Sequence, residues 1–67
     1  MDTCRKIKIY LEDNGISQTW VAKKTGIPLS KLNLSLNGNR KLLFEEYELI
    51  CGALNVPADR FIEARQV

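Results

Sequence analysis

The stretch LSKLNLSLNGNRK, residues 29–41, decides which fold class this chain can adopt. Leu32, Leu34 and Leu36 alternate with Asn33 and Ser35, and Asn37-Gly38 follows, a strong local signal for a β-hairpin. Leu29, Leu32 and Leu36 also stand at i, i+3 and i+7, the spacing of one helical face. The second arm separates the two readings. NRKLLFEEY has no alternation and no β-branched residue, whereas Phe44, Tyr47, Ile50, Cys51 and Leu54 trace a helical stripe. The first arm uses Leu, a good helix former, where strands favour Val, Ile and Thr. The helical reading prevails, and Asn37-Gly38 becomes a left-handed helix terminus.

Helical signals then cover the rest of the chain. TCRKIKIYLEDNG reads as a first helix, with Thr3 as N-cap, Ile7, Tyr10 and Leu11 on one face, and Gly15 at the left-handed end. SQTWVAKKTG reads as a second, short helix: Ser17 caps it, Val21, Ala22 and Thr25 face inward, and Gly26 stops it. Ile16 precedes the cap as a hydrophobic staple, and Trp20 beside the inward stripe is expected to pack at the core or its rim. Pro28 is pre-organised for the first turn of a third helix over about 28–37, which turns Leu32 and Leu36 inward. A fourth runs over about 43–54, and Pro57-Ala-Asp opens a fifth carrying Phe61 and Ile62. The expectation is an all-α domain of five helices with Ile7, Val21, Ala22, Ile27, Leu32, Phe44, Ile50 and Leu54 buried together.

Sixty-seven residues make one domain. A chain of this size buries only about 60% of its unfolded surface, so nearly every apolar side chain is needed. No apolar run approaches the roughly 20 residues of a membrane span, and no signal-peptide core is present. A cytoplasmic protein is expected. Cys4 and Cys51 form no CxxC pair and there is no His, so Cys51 reads as a small buried apolar residue. Without His, a metal-ligand cluster or a nucleophile–base pair, the residues argue against an enzyme and call for no cofactor.

Charge becomes informative once the chain is divided. The formal net charge is only +2, yet residues 17–42 hold Lys23, Lys24, Lys31, Arg40 and Lys41 with no acid. Residues 43–67 hold Arg60 and Arg65 against Glu45, Glu46, Glu48, Asp59 and Glu63. By charge alone, the basic island is as compatible with a solvated surface as with an anion-binding one.

The island coincides with a motif. SQTWVAKKTGIPLSKLNLSLNG closely resembles the helix-turn-helix of the Cro/CI-type, lambda repressor-like (XRE) family, at Ser17, Gln18, Val21, Ala22, Gly26, Leu32, Asn37 and Gly38. Phe44, Tyr47, Ile50, Leu54 and Val56 fit that family's fourth helix and the turn after it, so the resemblance spans about residues 7–62. Pro28 stands where the family usually has Ser or Gly, and Leu29 where it often has a polar reader. On a helical wheel the outward side of the third helix carries Ser30, Asn33, Leu34 and Asn37, with Lys31 at its edge.

The resemblance implies a sequence-specific DNA-binding transcriptional regulator of bacterial or phage type, expected as a repressor. It implies base-reading by Leu29, Ser30, Lys31, Asn33 and Leu34, where Asn can pair with adenine and an apolar side chain can touch the thymine methyl. Gln18, Asn37, Arg40 and Lys41 are implied as phosphate ligands, with Lys23 and Lys24 more simply a solvated face. The fold usually binds as a dimer on half-sites, so a homodimer on a palindromic operator is expected. The apolar C-terminal stretch suggests Phe61 and Ile62 at its interface. Control would come from concentration, a protein antagonist or proteolysis. The competing expectation is a protein-interaction module of the same fold, antitoxin-like or a regulatory partner subunit, that has lost specific DNA binding.

Overall fold

A computed structural model describes residues 3–62, and the described chain is all-helical. Four helices follow in order: α1 (Thr3–Asp13), α2 (Gln18–Thr25), α3 (Leu29–Leu36) and α4 (Phe44–Leu54). Their ends fall where turn chemistry places them. Gly26 takes φ 79° after α2 and Gly38 takes φ 79° after α3, conformations that cost a Cβ-bearing residue but not glycine. Asn55 ends α4 in the same left-handed region at φ 57°, which Asn tolerates better than most residues. The leucines at 32 and 36 thus belong to a helix that Asn37-Gly38 terminates, and the hairpin alternative is absent.

α2 packs against both α3 and α4, and α1 packs against α3. Ile7 and Leu11 from α1, Val21 and Ala22 from α2, Leu32 and Leu36 from α3, and Tyr47, Ile50 and Cys51 from α4 meet in one core, closed by Ile27 and Phe61. Such burial of almost every inward apolar side chain is what a domain this small requires. Among the described residues no helix is long and apolar enough to cross a membrane.

Two expectations about the core are corrected. Phe44 is 65% exposed, with its ring stacked on Tyr47 at 6.4 Å between centroids. It has nearly the angular position of Cys51 on the helix but lies about 10 Å earlier along the axis, at the first residue of α4. Leu54 is half-buried at the margin of the core. Trp20, 41% exposed on α2, lies outside the core, within the expectation of a core or rim position.

The fifth helix is also replaced. Residues 57–62 form turns closed by Arg60 N–H to the Pro57 carbonyl (3.0 Å) and Ile62 N–H to the Asp59 carbonyl (3.2 Å). Any continuation past Ile62 lies outside the described residues. Side-chain anchors hold this segment. Tyr47 donates its hydroxyl proton to the Ala58 carbonyl and accepts from Phe61 N–H at 3.4 Å. Phe61 meets Tyr10 edge-to-face at 5.5 Å, and the Arg60 guanidinium covers both rings. Burial pushes the Tyr47 phenol above its ordinary pKa.

Candidate nucleic-acid interface

Local chemistry fixes how α3 is presented. The Ser17 hydroxyl accepts the Trp20 N–H at 3.0 Å and starts α2, while Gly26 donates its N–H to the Ala22 carbonyl at 2.9 Å and ends it. Thr25 reinforces the corner: its hydroxyl donates to the Val21 carbonyl (2.8 Å) and accepts from Ile27 N–H (3.2 Å). Pro28, at φ −55° and ψ 135°, then sets the first turn of α3 and accepts the Leu32 N–H at 3.0 Å. Only three residues, 26–28, separate the helices, so α3 is held rigidly against α2.

Leu32, Ser35 and Leu36 are buried, which leaves the other side of α3 open. Ser30, Lys31, Asn33, Leu34 and Asn37 lie on that exposed side, and Leu29, at the first residue of α3, is exposed as well although it shares the face of Leu32 and Leu36. Leu29 and Leu34 are 44% and 45% exposed, much apolar surface for a solvated helix. Gln18 and Thr19 from α2 join Leu29, Ser30 and Asn33 around one shallow groove, so one expected phosphate ligand and three expected base readers share a site.

A line of hydrogen bonds crosses this surface. Lys8 Nζ on α1 donates to Asn37 Oδ1 (2.8 Å), Asn37 Nδ2 to Asn33 Oδ1 (3.2 Å), and Asn33 Nδ2 to Gln18 Oε1 (3.2 Å). Three helices are thereby joined through exposed side chains. Lys8 was not among the residues singled out from the sequence. Its place on α1, remote from the motif, gives no local signal that it reaches the end of α3.

Arg40 lies in a different setting from the one expected of a phosphate ligand. Its guanidinium grips Glu46 with two bonds, Nη1 to Oε1 at 2.9 Å and Nη2 to Oε2 at 3.0 Å, and also donates to the buried Ser35 hydroxyl at 2.9 Å. Glu46 in turn accepts the Leu43 N–H at 3.0 Å, the reach-back half of a capping box at the start of α4. The Arg40 guanidinium and the Leu43 N–H hold the Glu46 carboxyl below the usual carboxylate range, while Glu46 raises Arg40. Sequence reasoning missed Ser35 and Glu46. A Glu three residues into a helix is a capping signal only after Ser or Thr, and Leu43 occupies that place. Lys41 is exposed beside this knot.

The C-terminal pair expected at a dimer interface divides. Phe61 is 2% exposed and belongs to the monomer's core, because Tyr10 and Tyr47 already surround it; Ile62 is 50% exposed. A second apolar surface lies between α2 and α4, where Trp20, Leu49, Gly52 and Ala53 form a shallow groove rimmed by Lys24, Glu45 and Glu48. Lys24 rests its ammonium 5.6 Å from the Trp20 ring centre.

Comparison of the chain with family models, with curated proteins and with solved structures returns no match, so the geometry of these residues carries the functional argument.

Proposed function

We propose that this protein is a sequence-specific DNA-binding transcriptional regulator, acting as a repressor of bacterial or phage type, with α3 entering the major groove. One observation carries the reading. α3 exposes polar and apolar side chains together, Leu29, Ser30, Lys31, Asn33 and Leu34, from within a stretch of five bases and no acid. A helix with a rigidly set, exposed outer face of hydrogen-bonding and apolar groups suits base-edge readout. The exposed ammonium groups of Lys31 on that side and Lys41 beyond its end suit the phosphate backbone. The all-helical class and the three-residue corner between α2 and α3 are compatible with the lambda repressor-like resemblance of the sequence. In this reading Lys41 and Gln18 touch phosphates, and Arg40, engaged by Ser35 and Glu46, orders the connection beside them.

One α3 covers only a few base pairs, so the reading includes a homodimer on a palindromic operator, with half-sites about 34 Å apart. Ile62 remains available to a partner copy and Phe61 does not. A cytoplasmic setting follows from the DNA target. A protein antagonist is a further partner that this reading admits.

Titration of the chain against random and selected duplexes at several salt concentrations tests it. Binding to any duplex should weaken steeply with salt, and selection from a random library should return a preferred site. Ser30→Ala should then lose about 1 kcal/mol on that site alone, and Lys41→Ala should weaken all duplexes and flatten the salt dependence. A chain that binds no duplex at low salt refutes the reading. The groove of Trp20 and Leu49 favours one second reading, a protein-interaction module, because it offers exposed aromatic and aliphatic surface away from Gln18 and Asn33. Binding to a protein partner that Trp20→Ala abolishes, without duplex binding, would establish that alternative.

A further inference from the structure

The row of amides on the outer side of α3 has a direction. Every donor points the same way: from Lys8 to Asn37, from Asn37 to Asn33, from Asn33 to Gln18. Both ends of the row are consequently donors. At one end Lys8 keeps two of its three ammonium protons for another partner. At the other, Gln18 has its Oε1 occupied, and its Nε2 makes no hydrogen bond within the described residues. A ligand that satisfies both ends must offer acceptors and needs no donor, which is the chemistry of the phosphodiester oxygen.

We propose that Lys8 is a further phosphodiester ligand for duplex DNA, paired with Gln18 through the row of Asn37 and Asn33 that holds both in place. The inference rests on the DNA-binding reading and adds α1 to the contact surface. Asn33 and Asn37 stand four residues apart on α3, about 6 Å along its axis. With a further side chain beyond each, the two donor ends are too widely spaced for one phosphate and serve two. Lys8 lies in a shallow depression with Arg5, Glu12, Leu36 and Asn37, where the Arg5 side chain adds a second positive charge and Glu12 a negative one. Asn33 changes role in consequence. It becomes a positioning residue that aims Gln18, while its amide, holding one hydrogen bond at each end, keeps one donor and one acceptor for a base edge.

The test measures affinity against salt for the full chain on its selected duplex and on a random one. Lys8→Gln keeps most of the side-chain stem and should lower the slope of log K against log salt by about 0.9 per monomer on both duplexes. Lys8→Arg should restore the slope. Lys24→Gln, whose lysine lies over Trp20, should leave it unchanged. Asn33→Ala should weaken the random duplex as well as the selected one, by roughly 3- to 10-fold on the random one, as expected for loss of one supporting hydrogen bond. A wild-type slope in Lys8→Gln, in a chain that does bind DNA, overturns this inference alone. So does an Asn33→Ala loss confined to the selected duplex. A wild-type chain that binds neither duplex overturns the inference together with the reading beneath it.

Discussion

The two connections that flank α3 are closed by different means. The first, residues 26–28, is made by the backbone: a glycine at φ 79° followed two residues later by a proline at φ −55°. The second, residues 37–43, also opens on a glycine at φ 79°, Gly38, but is closed by side chains. Arg40 reaches back to the buried Ser35 and forward to Glu46, and Glu46 closes on Leu43 N–H. The difference matters because α3 carries the candidate interface. Its N-terminal end is fixed by dihedral preference, which no change of pH or salt alters. Its C-terminal end is fixed partly by an ion pair whose partners are 25% and 15% exposed, which both can alter.

The largest expected effect comes from the residue that serves both connections. Leu32 is fully buried, one turn after Pro28 and one turn before Leu36. Leu32→Ala should cost about 2–5 kcal/mol, enough to unfold most of so small a domain. Urea denaturation followed by circular dichroism would measure it, and a loss below 1 kcal/mol would mean that the α2–α3 corner holds α3 without the core.

Glu46 comes next. Glu46→Ala removes the cap on Leu43 N–H and leaves the Arg40 guanidinium with Ser35 alone, so a loss of about 1–2 kcal/mol is expected from the cap and its neighbouring bonds. The pH dependence has a definite sign. Because Arg40 and the Leu43 N–H lower the folded pKa of Glu46, its stabilisation is complete above the ordinary carboxylate range. It is lost as pH falls through the depressed folded value. Melting temperatures of the wild type and of Glu46→Gln should therefore differ most near neutrality and converge in acid. A gap that is constant with pH would show that the ion pair does not order the second connection.

Gly26→Ala probes the first connection and should have an effect of about the same size as Glu46→Ala, about 1–2 kcal/mol. An added Cβ at Gly26 would meet nothing within 4 Å, so the loss is purely that of forcing φ 79° on an L-residue. It should not vary with pH, in contrast with Glu46→Ala. An acid-sensitive Gly26→Ala defect would break the distinction between the two connections.

The same distinction separates what could be read along the chain from what could not. Ser17, Gly26, Pro28 and Gly38 act on their own neighbours, and each ends or starts a helix where its residue type suggests. The leucine spacing of α3 likewise identified Leu32 and Leu36 as buried, with Ser30, Lys31, Asn33 and Leu34 left outward, whereas Leu29, which that spacing groups with them, is 44% exposed. Phe44 shows where such reasoning stops, since a helical wheel reports angle but not whether another helix lies at that height. Phe61 shows it again: its apolar character was legible, but the pocket made by Tyr10 and Tyr47 is assembled from residues far away in the chain.

By itself, then, the sequence determined the all-helical class, the corner between α2 and α3 and the outward side of α3, because dihedral preference and hydrophobic period are properties of neighbouring residues. Tertiary structure alone decided that Arg40 is bound to Ser35 and Glu46, that the last segment is a docked turn, and that Lys8 on α1 meets Asn37 at the end of α3. Those arrangements depend on which side chains the packed helices bring within about 3 Å of each other, a distance that local pattern does not encode.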